Sequence, residues 1–345
     1  MTTPAPPLRP LAVRGHHVLA VPPGVTAGEV RILAETRWRA CRTDDAGGLV
    51  VSKYSRFDGP FQMADEVREE TGFPAGLPLA FVATTLRERG DPPFRGTCDP
   101  TGIARAFPEG LPIREEARVV AWLVAAARRL GGAARFDDSG VVLIPRADAA
   151  IDLTVYSPLW LEPDAALALV RSISPAFRLA MDTHAWDGPA RPATGTGGAH
   201  AARVRAASAL PEGVTSALSD AERDTLHDQA DAYDITALSR TPVLDRYAAM
   251  ADFGAAGTVW LEVSGGEAPP ALRTMAWIGG GVVAYALRWD PANPEDRLVE
   301  FPSPAQRAER AAAARTLGRL AVAIHAATGM EILDADGFPV SPADV

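Results

Sequence analysis

The strongest constraint on what this chain can fold into is that it repeats itself. The run VATTLR, Val82 to Arg87, is answered by VAYALR, Val283 to Arg288; four of the six positions are identical, and an Asp-Pro pair follows each run, Asp91-Pro92 and Asp290-Pro291. Further on, GGAARFDDSGVVLIP (131–145) aligns without a gap on TGMEILDADGFPVSP (328–342), matching Gly132 with Gly329, Asp137 with Asp334, Gly140 with Gly337 and Pro145 with Pro342. A Phe-Pro pair precedes a long helical pattern in both copies, Phe107-Pro108 and Phe301-Pro302. Such self-similarity predicts one supersecondary unit used twice.

Each copy reads as β-α-β-β-α-β. The first has strands over 13–21, 49–54 and 82–86, helices over 27–39 and 114–130, and a closing hairpin over 134–144. The second has a strand over 232–238, a helix over 243–251, strands over 258–263 and 282–289, a helix over 306–327 and a hairpin over 330–340. Both long helices carry an apolar stripe at helical spacing, Val120, Leu123, Val124 and Ala127 in one, Leu317, Leu320, Ala321 and Ile324 in the other. Gly132 and Gly329 stop them, glycine being the residue that takes a left-handed conformation at a helix end without steric penalty. The element order is that of the split βαβ, or ferredoxin-like, unit.

The expected fold is therefore α+β: an internal duplication of two ferredoxin-like halves, 1–146 and 231–345, with a β-α-β insert and a connector over 147–230. Within the insert, 152–157 reads as a strand, Pro163 opens a helix to 172, and 178–182 reads as another strand. The run 186–200 has the Gly, Pro and Thr content of a connector. Ser219 and Glu222 have capping-box spacing ahead of a polar helix to 230.

Composition narrows the function. At 345 residues with 47% hydrophobic and 22% charged residues, the chain can bury a sizeable core. Its net charge of −9 opposes binding to a nucleic-acid backbone, which rests on basic patches, and makes a basic protein the more natural partner. Two cysteines, Cys41 and Cys98, are too few for a disulfide framework and lack metal-ligand spacing. Met1 to Pro10 has no signal-peptide core, and no run of about 18 apolar residues marks a membrane span. These features point to a soluble, cytoplasmic protein, a monomer or homodimer, with no membrane contact.

No motif names a cofactor. The glycine-rich run 194–198 has no strand before it and no Gly-Lys-Ser/Thr after it, so it is no phosphate loop. Asp334, Asp336 and Gly337, like Asp137 to Gly140, have turn chemistry rather than a full calcium-loop series. Hydrolase, zinc-protease and kinase signatures are missing from the sequence.

What remains is a short set of candidates. Lys53 and Glu262 fall at matching strand positions when Gly48 is aligned with Gly257; if the faces they share with Leu49 and Val51, and with Trp260, are buried, each charge needs a partner or a polar cavity. Solvent exposure is the ordinary alternative. His16 and His17 point to opposite faces of the first strand, so one of them can line an interior site. His325 aligns with Arg128, and a basic group in a last helical turn meets the negative end of the helix dipole; failing that, it is a candidate axial ligand or proton carrier. Trp160 and Trp186 flank the unduplicated insert, where large aromatics with a polar edge line binding surfaces. With so few titratable groups gathered, the expected function is non-catalytic binding of a protein partner through an acidic surface, as an inhibitor or immunity factor would do. The alternative is a small-molecule or haem-binding protein, or an enzyme, with its site between the two halves.

Overall fold

Two long helices need sheets to cover their apolar stripes, and each has one. The computed structural model describes residues 5–9, 13–94, 96, 99–137, 139–180, 219–239 and 245–345. The chain divides into two compact units, Met1–Ala180 with Arg246–Val345, and Met181–Asp245. The described part of the smaller unit is essentially one helix, Asp220–Ser239, started by the expected Ser219/Glu222 capping box.

The larger unit holds two mixed α/β halves. The first runs β1 (His17–Val21), α1 (Ala27–Glu35), β2 (Arg42–Thr43), β3 (Leu49–Val50), β4 (Arg56–Gln62), α2 (Asp65–Thr71), β5 (Leu79–Thr84), α3 (Ile103–Ala106), α4 (Arg114–Leu130), β6 (Ala133–Arg135) and β7 (Val142–Leu143). The second runs β8 (Leu153–Ser157), α5 (Pro163–Ile173), β9 (Arg178–Leu179), then, after the smaller unit's helix α6 (Asp220–Ser239), β10 (Arg246–Asp252), β11 (Thr258–Gly266), β12 (Val282–Asp290), α7 (Pro304–Thr328), β13 (Glu331–Asp334) and β14 (Pro339–Val340). Among the described residues both sheets have seven strands, in the orders β7-β6-β1-β5-β4-β3-β2 and β14-β13-β8-β12-β11-β10-β9, with every neighbouring pair antiparallel. Position by position, the two orders are the same.

This correspondence corrects the sequence reading in three places. The strand over 153–157, assigned to an insert, is an interior strand of the second sheet, hydrogen-bonded to both β12 and β13, and it opens the second half. The segment 232–238, read as that opening strand, is the tail of the helix capped at Ser219. The segment 243–251, read as a helix, gives β10: Tyr247, Ala249 and Ala251 are buried while Ala248 and Met250 are half-buried, a period of two that pairing with β11 enforces over the helical preference of alanine. In the first half, β4 lies beyond the expected strand 49–54, which is only the short β3.

The repeat is also out of register by one residue. Val82 faces the far side of the first sheet, packed with Met63, Val67 and Phe73, whereas its sequence match Val283 faces α7. A slip of one residue moves a strand side chain to the opposite face, so VATTLR and VAYALR are equivalent as strands but not residue by residue. At the helix ends the cap of α4 is Gly131, whose N–H donates to the Ala127 carbonyl, and that of α7 is Gly329, whose N–H donates to the His325 carbonyl. Gly132 instead allows a close approach of two strands, since a Cβ there would stand 2.2 Å from the Ala20 carbonyl oxygen. His325 thus corresponds to Ala127, not to Arg128.

Each half packs its longer helices, α1 and α4 in the first and α5 and α7 in the second, on one face of its sheet. In the first, Trp122 of α4 is fully buried, stacks on Phe57 at 4.6 Å and donates from its indole N–H to the Leu33 carbonyl at 3.1 Å. In the second, Leu317, Leu320 and Ile324 of α7 meet Val155, Leu261, Tyr285 and Leu287. Two of these helices start at capping boxes that satisfy their first N–H groups: Thr26 with Glu29 for α1, Ser303 with Gln306 for α7. Phe338, from the turn between β13 and β14, is fully buried in the core of the first half and ties the two together.

Candidate functional site

The far faces of the two sheets, away from the long helices, are treated differently. In the first half that face is covered by its own chain: Leu8, Val13, Met63, Val67, Phe73 and Leu77 bury it against Val18, Ala20, Ala80, Val82 and Ala133. The second half has no α-helix between β11 and β12, where α2 lies between β4 and β5 in the first; the connection there consists of short 3-10 turns, 270–272 and 276–280. Among the described residues, the side chains on its far face are only half-buried or exposed, and this face is called half-open in that sense.

Strand register lays out what that face presents. One row runs Met250, Trp260, Arg288; the next Ala248, Glu262, Ala286, Thr154; the next Arg246, Ser264, Ala284, Tyr156, Glu331. Small side chains on the middle strand leave a shallow strip flanked by the aromatic rings of Trp260 and Tyr156. Glu262 and Arg288 stand diagonally across it, 3.6 Å apart, each about half exposed. Burial pushes the Tyr156 phenol above its ordinary value, and the Thr154 hydroxyl beside it acts in the opposite sense. The Trp260 indole Nε1 is shut off from solvent and has no hydrogen-bond partner. A donor left in this state is costly.

The second constellation is buried in the first half. His17, 2% exposed, and Glu116, 0% exposed, meet at 3.1 Å between Nε2 and Oε1. The Asp137 backbone N–H donates to Nδ1 at 3.2 Å, which places the imidazole proton on Nε2, donated to Glu116. The other carboxylate oxygen of Glu116 accepts the Glu88 N–H at 2.8 Å and pairs with Arg89, while Asp137 pairs with Arg87 and accepts the Gly15 N–H at 2.9 Å. Phe107 and Phe136 enclose the ring edge-on at 6.0 and 5.5 Å. Both imidazole nitrogens are engaged within the protein, so this arrangement couples β1 to α4 and to the strand-end arginines. It offers no free nitrogen to a substrate.

The remaining candidates are scattered. Lys53 is exposed in the bend between β3 and β4, its Nζ 5.2 Å from the Tyr54 ring centroid, and it lies on a different sheet from Glu262. The two are not equivalent, because β11 corresponds to β4 and Lys53 precedes β4. His16 and His325 are half-buried with unpartnered Nδ1 atoms. Trp160 packs edge-on against Tyr247 at 5.4 Å in a β8–α5 connection clamped by tyrosine hydroxyls: Tyr285 donates to the Leu159 carbonyl and accepts the Leu161 N–H, and Tyr247 donates to the Leu161 carbonyl. Burial raises both phenols, Tyr247 more strongly, with Tyr285 and Glu162 adding to it. Trp186 and the connector 186–200 lie outside the described residues.

Among the described residues no group of three His, Cys, Asp or Glu is placed to hold a metal ion, and no helix is long and apolar enough to cross a membrane. Glu116 and Trp260 are the residues the sequence reading did not single out as a site. Glu116 left a signal: at 116, 119, 120 and 123 it sits on the same stripe as Val119, Val120 and Leu123, where an unpaired carboxylate has no place. Comparison with models of protein families, with curated proteins and with solved structures finds no match.

Proposed function

We propose that this chain is a non-catalytic binding protein that holds a basic protein partner on the half-open face of the second sheet. The observation that carries the reading is the asymmetry between two topologically matched halves. One covers its far face with its own chain, and the other leaves Trp260, Met250 and Tyr156 half-buried with an unpartnered indole donor among them. Rigid aromatics beside small residues are the composition of interface centres. The net charge of −9 favours encounter with a basic partner, and Glu262 supplies a carboxylate within the strip. An inhibitor or immunity-like factor fits these features. The strand order supports reading the halves as two ferredoxin-like copies with extra edge strands. Cys41, a free thiol pushed up to about 11 by burial and by Glu35, suits a reducing cytoplasm.

The test is co-purification from the native host with quantified partner recovery. Trp260→Ala and Ala286→Arg are expected to lose the partner while keeping the wild-type circular dichroism, and Lys53→Ala to retain it. Undiminished recovery with both face variants overturns the proposal; sedimentation of the purified protein separates a foreign partner from a second copy of the chain.

A further inference from the structure

We infer that the cleft where the first half meets the 299–301 segment of the second is a binding site for a small organic anion with a flat apolar body. Its volume is about 190 Å3, and three arginines line it, Arg105 from α3, Arg128 from the last turn of α4 and Arg146 from the chain after β7. Three guanidinium groups on one small cavity are unexpected in a chain of net charge −9.

Each arginine is held by a carboxylate. Glu300 accepts from Arg105 at 2.7 Å from its terminal nitrogen and 3.2 Å from Nε, and Asp148 accepts from Arg146 at 2.8 Å from Nε with a second bond alongside. Asp336 holds Arg128 through one terminal nitrogen. Carboxylate pairing of this kind fixes the plane of a guanidinium and occupies one edge of its donor fork, leaving the remaining N–H groups for a second acceptor. Arg128 goes further: its side chain is 12% exposed, and its Nε is shut off from solvent with no partner.

The rest of the lining selects the body of the ligand. Leu143 and Pro145 form an apolar wall, and Phe301, 74% exposed, stands at the mouth with the Arg105 guanidinium 5.9 Å from its ring centroid. An exposed aromatic ring beside an arginine plane is a stacking surface for a flat molecule. The chemistry is therefore that of an aryl carboxylate or aryl phosphate. Three carboxylates offset the three arginines, so the attraction is local hydrogen bonding rather than a long-range field, and binding should weaken only shallowly with added salt. This site is separate from the far face of the second sheet, and either reading can fail without the other.

The experiment is isothermal titration of the full chain with benzoate, phenyl phosphate and inorganic phosphate. One site per chain is expected for an aryl anion. Affinity should fall by about tenfold or more in Arg128→Gln and in Arg146→Gln, as loss of a charge-assisted hydrogen bond implies. Phe301→Ser should erase the preference for phenyl phosphate over inorganic phosphate. Arg146 is the safer variant, since its pairing is with Asp148, two residues away, and Arg56→Gln on the first sheet serves as a control that leaves binding unchanged. No heat of binding up to about 10 mM of any probe, or equal affinity in wild type and the cleft variants, overturns the inference and leaves the arginines as staples between the halves.

Discussion

Replacing Glu116, a buried carboxylate on the apolar stripe of α4, should destabilise the first half strongly. The side chain has no exposure and three partners: His17 at 3.1 Å, the Glu88 N–H at 2.8 Å and the Arg89 guanidinium. In Glu116→Leu the volume is roughly kept, but Arg89, His17 Nε2–H and the Glu88 N–H lose the Glu116 carboxylate together. Removing one member of a buried charged network costs about 3–5 kcal/mol, because the remaining groups stay desolvated and uncompensated. At about 2.1 cal/mol/K of unfolding entropy per residue, this corresponds for a 345-residue chain to a fall in Tm of roughly 4–7 °C. Glu116→Gln keeps one carbonyl acceptor and should cost less, about 1.5–3 kcal/mol. Urea unfolding followed by tryptophan fluorescence reads the difference directly, since Trp122 lies on the same helix. A Glu116→Leu variant within about 0.5 kcal/mol of wild type would refute the network as a stabilising element.

Three further outcomes follow from the geometry. Burial raises the Asp152 carboxyl above its ordinary value of 3.8. The folded state therefore binds the proton more tightly than the unfolded one, and this group's contribution falls as pH rises from 3.8 through the raised folded value. Asp152→Asn, which keeps an oxygen for the Trp289 N–H, should be more stable than wild type at neutral pH and equal to it below about pH 3.8, as pH-dependent denaturation will show. Tyr285→Phe removes a hydroxyl that both donates to Leu159 and accepts from Leu161, so chemical denaturation should register a loss of about 1–3 kcal/mol. Gly132→Ala would put a methyl 2.2 Å from the Ala20 carbonyl oxygen, and displacement of β6 from β1 should appear as faster amide exchange across 18–20 and 133–135, with unchanged exchange counting against it.

Much of the architecture was legible because the long helices announce themselves. Residues 114–130 and 304–328 carry uninterrupted helical periodicity and stop at glycine, and the closing hairpins are flagged by Asp and Gly at their turns. The start of the second half was hidden by alanine. In 246–252 the buried face is Tyr247, Ala249 and Ala251, where alanine gives little β signal, so only pairing with β11 decides for a strand, while 232–238 has β-branched and aromatic residues yet extends a helix nucleated upstream at Ser219. The one-residue slip between Val82 and Val283 misled in a subtler way. Identity of letters marked the right strands and the wrong faces, and with the faces went the supposed equivalence of Lys53 with Glu262 and of His325 with Arg128. Glu262 was noticed for its charge, but what makes its surroundings distinctive is the openness of the face, which depends on the missing counterpart of α2.

The most direct test of partner binding on the second sheet is site-specific photo-crosslinking in the native host from position 284, on the half-open face, with position 32 on the exposed side of α1 as reference. A single adduct with a second, basic protein is predicted from position 284 and none from position 32. No adduct from position 284, or the same adducts from both positions, would contradict it.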